Sequence, residues 1–321
     1  MSDLSRDNAT GRDGDGMPTL VFGIGTQKAG TTWLFDWLSG RSDVHVPCFH
    51  SGDRRTQLKE VHYFDKYIPG QTHRQMQARR AIARQAARLA DGNDALLPDL
   101  IERLQGRLEH LRLLIDDSGD DRAYLDWMQA GRAGEPVVMD ITPSYSMLDR
   151  AGFARMAALS PKSKFILLLR DPVERLWSVA RYALRDAAEA RTDFAAAVVA
   201  QFKRELTELA ENPVHRSNYR RTITELEAAV PVDNIFYGFY EDLFTADTTE
   251  AIAGFLGIAP GSPDFGKEVN ASKSLAMPAA LRREATERLQ AQYDFAFDRF
   301  GRKVPQKWRD AYQVLSVGEG V

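Results

Sequence analysis

The sequence has almost no cysteine, and its charge is nearly balanced. Cys48 is the only cysteine among 321 residues, which excludes an intrachain disulfide framework and a cysteine-cluster metal site. The 42 lysine and arginine residues face 45 aspartate and glutamate residues. The resulting net charge of −3 argues against nucleic acid as a partner, so any anion site must be local. No run of about 18 apolar residues exists, and we expect no membrane span.

A hydrophobic content of 44% and a charged content of 27% are typical of a folded globular chain. Residues 1–18 are polar and rich in glycine and aspartate, and they lack the basic start and apolar run of a signal peptide. We therefore predict a disordered tail over residues 1–18 and a single domain over residues 19–315. We also expect a cytoplasmic location, with which the single cysteine agrees.

Short apolar runs indicate buried strands. They cover residues 19–25, 137–141, 164–170 and 234–239. Helical patterns follow three of them, at residues 30–38, 172–186 and 248–256. The repeated order of strand then helix predicts right-handed βαβ units, and hence an α/β fold with a central, mostly parallel sheet flanked by helices. Because ligands of such sheets bind at the carboxyl ends of the strands, the loops that follow the first three strands are the expected site.

Two further regions are predicted to be helical. Residues 72–116 are rich in arginine, alanine and leucine, and we interpret them as a helical insertion broken near residues 91–93 and Pro98. Within the insertion, Arg80, Arg84 and Arg88 fall on one helical face. That face either steers an acidic acceptor or partner, or is an ordinary solvated surface. Residues 278–300 are predicted to form one helix that begins with a proline.

The loop after the first strand has the spacing of a phosphate-binding turn. Gly25 and Gly30 match the two glycines of the nucleotide loop G-x-x-x-x-G-K-[ST], and the following helix start offers backbone N–H groups to an anion. Thr31 replaces the lysine that would hold a γ-phosphate, and the loop's lysine is instead Lys28. This pattern disfavours an ordinary ATPase or GTPase, and a plain strand-to-helix turn is the alternative interpretation.

The loop after the third strand offers a second cation. Arg170 ends the strand, and Asp171 is the expected N-cap of the next helix, with Glu174 completing a capping box. Arg170 therefore emerges at the same sheet edge as Lys28, while Ser178 lies about two helical turns further on. A guanidinium with a hydroxyl suits a second phosphate, although a structural pair of Arg170 with Asp171 is the alternative.

The two loops together resemble a known family. Residues 28–34 (KAGTTWL) look like the 5′-phosphosulfate loop of sulfotransferases that use 3′-phosphoadenosine 5′-phosphosulfate (PAPS). Residues 168–178 (LLRDPVERLWS) are similar to the 3′-phosphate motif of these enzymes. Three more segments resemble motifs of the family, the first two from its carbohydrate (heparan-type) branch: residues 59–65 (KEVHYFD), 142–145 (TPSY) and 239–243 (FYEDL). The resemblance covers roughly residues 19–310 apart from the insertion, and it implies the P-loop-like sulfotransferase fold.

The resemblance implies a reaction. PAPS would donate its sulfuryl group to a hydroxyl or an amine, 3′-phosphoadenosine 5′-phosphate (PAP) would leave, and no metal would be required. Lys28 is implied to stabilise the leaving group. Glu60 matches the base position of the carbohydrate branch, and His62 is the runner-up because histidine titrates near neutral pH. If this segment is extended, Glu60 and His62 point to the same side.

The same motifs imply the nucleotide site. Its expected residues are Gln27, Lys28, Ala29, Gly30, Thr31, Thr32, Trp33, Arg170, Ser178, Tyr219, Ser272 and Lys273. Trp33 would stack on adenine, as a tryptophan at this position does in cytosolic relatives, with packing in the core as the alternative. Tyr219, Ser272 and Lys273 lie in late loops that would close over the nucleotide.

Two features depart from the heparan-type pattern. The lysine that commonly precedes T-P-S-Y is Ile141 here, and the insertion has no counterpart in that branch. The acceptor, a small molecule or a carbohydrate, therefore stays open, as does the oligomeric state. Two rival hypotheses remain: a nucleotide kinase or NTPase with Asp140 as its magnesium ligand, and a non-catalytic nucleotide-binding or scaffold protein.

Overall fold

The computed structural model of the protein describes residues 16–51, 54–68, 80–84, 86–87, 97–116, 118–185, 193–266 and 274–313. Most of the predicted disordered tail lies outside these residues, as do Arg88, Ser272 and Lys273. None of the helices within these ranges is long and apolar enough to cross a lipid bilayer.

A parallel sheet forms the centre of the described structure. The strands among the described residues are β1 (Thr19–Gly25), β2 (Val44–His45), β3 (Cys48–Ser51), β4 (Arg54–Gln57), β5 (Val137–Ile141), β6 (Ser163–Leu169) and β7 (Ile235–Phe239). The central sheet has the order β2-β5-β1-β6-β7 with every neighbouring pair parallel, and β3 and β4 form a separate antiparallel hairpin. The predicted α/β architecture with a central parallel sheet is confirmed.

The predicted strands are one residue too long at two ends. Strand β6 ends at Leu169, so Arg170 belongs to the loop, and Asn234 closes a 3₁₀ turn before β7. Strand β2 and the β3–β4 hairpin were not predicted. Two residues are too few to carry a period, and the hairpin sequences CFHS and RRTQ have no apolar alternation.

Helices cover both faces of the sheet. The helices whose bounds lie within the described residues are α1 (Thr31–Ser39), α2 (Leu97–Ile115), α3 (Arg122–Gln129), α4 (Arg150–Ala158), α5 (Pro172–Ala183), α6 (Phe194–Glu211), α7 (Tyr219–Glu227), α8 (Ala246–Leu256), α9 (Ala279–Arg288), α10 (Gln290–Phe300) and α11 (Gln306–Gln313). The helices predicted after β1, β6 and β7 are present, with ends shifted by one to three residues.

The C-terminal helical region differs from its prediction. The single helix expected over residues 278–300 is two helices, α9 and α10, that meet at Leu289. Leu289 has φ −100° and ψ 6°, which departs from helical geometry, and its side chain is 1% exposed. Burial of this leucine in the core outweighs the continuous helical propensity on either side of it.

The insertion is helical where it is described. Residues 80–84 and 86–87 are helical, and α2 follows. Residues 91–93, where a break was predicted, lie outside the described residues. Pro98 is the second residue of α2, where the absence of an N–H costs nothing, so a helix begins at the predicted proline. Helix α2 packs against the β3–β4 hairpin and ends beside Lys66, whose ammonium donates to the carbonyls of Leu113 and Asp116.

Two apolar clusters hold the sheet, one on each face. Strand alternation separates them: Phe22 and Ile24 of β1 belong to the first cluster, and Val21 belongs to the second. The same alternation in β5 puts Val138 in the first cluster and Ile141 in the second, with α1 and α8. This packing leaves the carboxyl ends of β1, β5, β6 and β7 as one edge from which the loops project.

Candidate active site

The loop after β1 is a tight turn built on left-handed residues. Lys28 has φ 69° and Gly30 has φ 87°. A Cβ atom on Gly30 would lie 2.4 Å from Cδ2 of Leu243, so this position needs a glycine for space as well as for conformation. Gly30 is also the N-cap of α1, and having no side chain it leaves the first-turn N–H groups to face the loop. Such a turn is suited to an anion.

Three arginines hold this loop from outside. Arg170 donates from Nη1 to the Lys28 carbonyl over 3.0 Å, and Arg175 donates from Nη1 to the Gln27 carbonyl over 3.2 Å. Arg216 donates to Oε1 of Gln27 over 3.3 Å. Arg175 is 1% exposed and also donates to Ser217, which makes it a buried clamp between two loops. Arg175 was not among the predicted site residues, although its place within residues 168–178, on the buried face of α5, is a signal that could have identified it.

The turn after β6 differs partly from its prediction. Asp171 is the N-cap of α5, as expected, and its Oδ1 accepts from the Glu174 N–H over 2.9 Å. The expected capping box does not form, because the Asp171 N–H donates to Glu241 while Glu174 pairs with Arg282. Burial raises the pKa of Asp171 to about 6. The Asp171 carboxylate accepts from the Glu174 N–H and from the Tyr293 hydroxyl, and not from Arg170. The Arg170 guanidinium instead lies 4.3 Å from the ring centroid of Tyr240.

Lys28 is surrounded by cations. Burial and the charges of four other basic residues lower its pKa to about 8. These residues come from three parts of the chain: Arg170, Arg181, Arg185 and Lys59. The Lys28 ammonium lies 4.1 Å from the ring centroid of Tyr182. This convergence of like charges is unfavourable without a ligand and fits a polyanion. We call these five basic residues the cation cluster.

The remaining nucleotide residues predicted from the motifs have mixed positions. Ser178 is 3% exposed in α5. Tyr219 is 1% exposed, donates from its hydroxyl to the Arg170 carbonyl over 2.7 Å and stacks on Trp308. Burial raises its pKa to about 12. Tyr219 thus holds the backbone of the Arg170 loop.

Trp33 lies on the buried side of α1, in the second apolar cluster. It is 4% exposed, and its ring packs edge-on against Phe244 and nearly parallel to Phe265, at 18° with 6.1 Å between centroids. Its Nε1 donates to the Asp264 carbonyl over 3.4 Å. This position agrees with the core-packing alternative for the indole itself, whereas Phe265 is 40% exposed and presents an accessible ring beside it.

The two base candidates form one hydrogen-bonded group with a buried acid. Oε2 of Glu60 lies 3.1 Å from Nε2 of His62, and Nδ1 of His62 lies 2.9 Å from Oδ2 of Asp65. Ser144 contacts both His62 Nδ1, at 3.1 Å, and Asp65. Exposure falls along this line, from 34% for the Glu60 side chain to 10% for His62 and 0% for Asp65. The expected extended backbone is absent here, because His62 has φ 59°, yet the two side chains do meet.

A second network anchors this segment to the end of β5. Asp140 is 1% exposed and accepts from the hydroxyls of Thr142, Tyr145 and Tyr124 over 2.6, 2.8 and 3.0 Å. We call residues 59–65, which carry the candidate base, the base segment. The Thr142 hydroxyl accepts from the Val61 N–H of this segment over 3.0 Å, and the Tyr145 hydroxyl accepts from the Tyr63 N–H over 3.1 Å. Burial raises the pKa of Asp140 to about 6. Both carboxylate oxygens are thus engaged, which disagrees with a magnesium-ligand role for Asp140.

The insertion contributes to the same anchor. Nε2 of His110 in α2 lies 2.7 Å from the Val61 carbonyl, and its ring stacks on Trp127. Because a carbonyl only accepts, His110 must carry its proton on Nε2 in this contact. The insertion is therefore part of the support of the candidate base.

Lys59 joins the base segment to the first turn of α1. Its Nζ donates to Oγ1 of Thr32 over 2.7 Å and lies 3.3 Å from Oε1 of Glu60. Ile141, at the position where heparan-type enzymes commonly have a lysine, is fully buried in the second apolar cluster. The cation beside the candidate base is thus Lys59 of the base segment, and not a residue at the end of β5.

A cavity of about 660 Å³ opens beside the Arg170 loop, which is within the usual range of small-molecule pockets. Arg170, Tyr240 and Phe244 line one side, and Arg282 and Lys307 from the C-terminal helices line another. Phe244 contacts Trp33, so the cavity adjoins the aromatic pair of Trp33 with Phe265.

One group of possible metal ligands occurs among the described residues, at Glu205, Glu208 and His215. Nδ1 of His215 accepts from the Ser217 N–H over 3.1 Å, so a neutral ring carries its proton on Nε2, the atom that faces Glu205. Burial and the charges of Arg175 and Arg216 lower the pKa of His215 to about 4. His215 thus helps to hold Ser217, the residue to which Arg175 donates, and neither of its ring nitrogens offers a free lone pair to a metal in this arrangement.

A family profile and a solved structure identify the family and the fold of the chain. The profile of a sulfotransferase family matches residues 18–260, and the chain belongs to that family. The fold is similar to that of a sulfotransferase from Alicyclobacillus acidocaldarius, with a TM-score of 0.58 and 19% identity over 91% of this chain and 99% of the other. A sulfotransferase domain of the Synechococcus PCC 7002 olefin synthase also matches, with a TM-score of 0.44 and 18% identity over 91% and 99% of the two chains. No curated protein sequence matches the chain significantly.

Proposed function

We propose that the protein transfers a sulfuryl group from PAPS to a hydroxyl or amine of a small-molecule or carbohydrate acceptor. The observation that carries this proposal is the cation cluster around Lys28, joined through Lys59 to the Glu60–His62–Asp65 group. A polyanionic donor would relieve the repulsion among the cations, and the carboxylate would meet the acceptor at the same edge. Sulfuryl transfer needs both groups together.

The donor would lie in the loop after β1. Backbone N–H groups at the start of α1 would hold the 5′-phosphosulfate, and Arg170 with Ser178 would hold the 3′-phosphate. Adenine would rest against the exposed ring of Phe265, with Trp33 packed behind it in the core. Ser272 and Lys273 keep their proposed role of closing over the nucleotide.

The transfer step follows from these positions. The acceptor oxygen or nitrogen forms a bond to sulfur while the bond from sulfur to the bridging phosphate oxygen breaks. The electron pair of that bond stays on the phosphate of PAP, where the Lys28 ammonium stabilises it. The acceptor proton passes to Glu60.

Glu60 is favoured over His62 as the base. Both ring nitrogens of His62 lie within hydrogen-bond distance of carboxylate oxygens, on Glu60 and on Asp65. A ring that donates from both nitrogens is an imidazolium, which has no free lone pair for a proton. His62 would therefore orient Glu60, and the buried Asp65 would balance its charge.

The position of Lys59 bears on the departure from the heparan-type pattern. A cation at the reaction centre would offset the charge of the transferring group. With Ile141 buried, Lys59 is the residue that would do this here, because its ammonium touches both Thr32 and Glu60. The heparan-type branch itself stays a prediction, and the acceptor class is open within it.

The rival hypotheses have less support. A kinase or NTPase needs a lysine after Gly30 and a carboxylate free to bind magnesium, whereas Thr31 follows Gly30 and Asp140 is buried among three hydroxyls. A non-catalytic nucleotide-binding protein would bind PAP but transfer nothing. A cytoplasmic location and a metal-independent reaction complete the proposal.

Calorimetry with PAP and AMP tests the donor site directly. We expect PAP to bind at least about tenfold more tightly, since the added phosphate forms a charge-assisted pair with Arg170. Equal affinities would refute the proposal. The acceptor is sought by incubating the protein with labelled PAPS and a metabolite extract and identifying which compound gains the mass of SO₃.

Matched variants test the residue roles. Lys28→Ala and Glu60→Ala should keep the fold but lose transfer. The exposed residues Lys203 and Glu250, on α6 and α8, supply the control variants Lys203→Ala and Glu250→Ala, which should keep full activity. A fully active Glu60→Ala protein would assign the base role to His62.

A further inference from the structure

The aromatic ring of Tyr182 has two cations against it. The Lys28 ammonium lies 4.1 Å from the ring centroid, and the central guanidinium carbon of Arg185 lies 3.9 Å from it. Tyr182 is half-buried and follows Ser178 by one turn of α5, so the two side chains share a helix face. Tyr182 is not among the site residues that the motifs predict.

The surroundings of Lys28 make this contact significant. Arg170 faces the ammonium from the loop after β6, Arg181 and Arg185 from α5 and its end, and Lys59 from the base segment. Each of these groups repels a protonated lysine, and burial adds to the effect. The face of the Tyr182 ring carries negative charge density, so it attracts the ammonium and acts in the opposite direction.

We infer that Tyr182 is a positioning residue for Lys28: its ring holds the ammonium protonated and beside the phosphate loop until an anionic donor takes over the contact. Lys28 has φ 69°, so the left-handed backbone fixes the base of the side chain while the ring fixes its end. The inference rests on the proposed function only for its kinetic consequence, because the protonation state of Lys28 is measurable without any ligand.

The test is the titration of Lys28 in the full chain. The protonation state of Lys28 is measured by trace labelling with an amine-acylating reagent at each pH and mass spectrometry of the peptide that contains it. Tyr182→Phe keeps the ring and should keep the pKa of Lys28. Tyr182→Leu and Tyr182→Met remove the ring but keep apolar volume, and each should lower that pKa by about half to one pH unit. Two replacements of different shape guard against a variant that misfolds.

Arg185→Gln supplies the opposite perturbation. It removes a repelling cation without altering the ring, so the pKa of Lys28 should rise, and more at low salt than at high salt. Opposite shifts from two residues in contact with each other support the inference. An unchanged pKa in both Tyr182→Leu and Tyr182→Met, or a fall in Tyr182→Phe as large as theirs, would overturn it.

The kinetic consequence separates this inference from the proposed function. If Lys28 must be protonated for transfer, activity falls as the pH rises through the pKa of Lys28, and the ring-removing variants should lose activity at lower pH than the wild type. Failure of PAP to bind would refute the proposed function, while the titration result for Lys28 would still decide the role of Tyr182.

Discussion

Removal of one hydroxyl should loosen the segment that carries the candidate base. The Tyr145 hydroxyl donates to Asp140 over 2.8 Å and accepts from the Tyr63 N–H over 3.1 Å. Tyr145→Phe therefore removes a bond to a charged acceptor, about 1.5–3 kcal/mol, and leaves a buried N–H unpaired, about 1–3 kcal/mol. We expect the free energy of unfolding to fall by about 2.5–6 kcal/mol in total.

Tyr124 offers the matched control. Its hydroxyl donates to the same Asp140 oxygen over 3.0 Å, and its ring is as deeply buried, but the backbone N–H of Tyr63 is bound to Tyr145. Tyr124→Phe should therefore lose only the bond to Asp140, about 1.5–3 kcal/mol. The difference between the two variants isolates the anchoring of the base segment.

The two variants can be distinguished without knowledge of the acceptor substrate. Amide hydrogen exchange of the peptide around Tyr63 measures local opening, and denaturant unfolding measures global stability. An unpaired Tyr63 N–H should exchange about 10- to 100-fold faster through local opening in Tyr145→Phe than in Tyr124→Phe. Transfer activity should follow the same order, because Glu60 lies on this segment. Equal exchange rates in the two variants would refute the reasoning that Tyr145 anchors the base.

Three other expectations follow from single contacts. Asp140→Asn removes a buried titrating group whose pKa is raised from 3.8 to about 6 in the folded protein. The folded wild type therefore takes up a proton as the pH falls from 7 to 4, and over this range it should gain about 2 kcal/mol of stability relative to the variant, as measured by parallel denaturant titrations. Gly30→Ala should lower the melting temperature and weaken PAP binding, because the new Cβ would lie 2.4 Å from Cδ2 of Leu243 and the residue has a φ of 87°. The double variant Gly30→Ala/Leu243→Ala relieves the contact with Leu243 but not the backbone strain, so it should regain only part of the lost PAP affinity. Phe265→Ala should weaken PAP binding about tenfold in calorimetry if adenine stacks there, and unchanged affinity would refute that stacking.

The parts of the site that are local in sequence could be predicted. Gly30 and Lys28 lie in one turn after a buried strand, and Asp171 caps the helix that the next strand leads to, so spacing alone places them at one sheet edge. The capping box failed because Glu174 has a partner, Arg282, more than a hundred positions away. A pattern of neighbouring residues carries no information about such a competitor.

The supports of the site could not be predicted for the same reason. The Asp140 network joins hydroxyls of residues 124, 142 and 145 to backbone groups of residues 61 and 63, and neither side has a periodic signal. The role of the insertion was likewise hidden, because only the fold brings His110 to the Val61 carbonyl. The break at Leu289 depends on which side of the helix meets the core.

The alternation of β5 explains how this chain can lack the lysine that heparan-type enzymes commonly carry before T-P-S-Y. Successive residues of a strand point to opposite faces, so Asp140 meets Tyr124 and Tyr145 on one face while Ile141 enters the apolar cluster on the other. A lysine at position 141 would put an ammonium among fully buried apolar side chains, at a large desolvation cost. Lys59 contacts both Thr32 and Glu60, so this cation and the candidate base lie on one segment, and the hydroxyls bound to Asp140 anchor that segment.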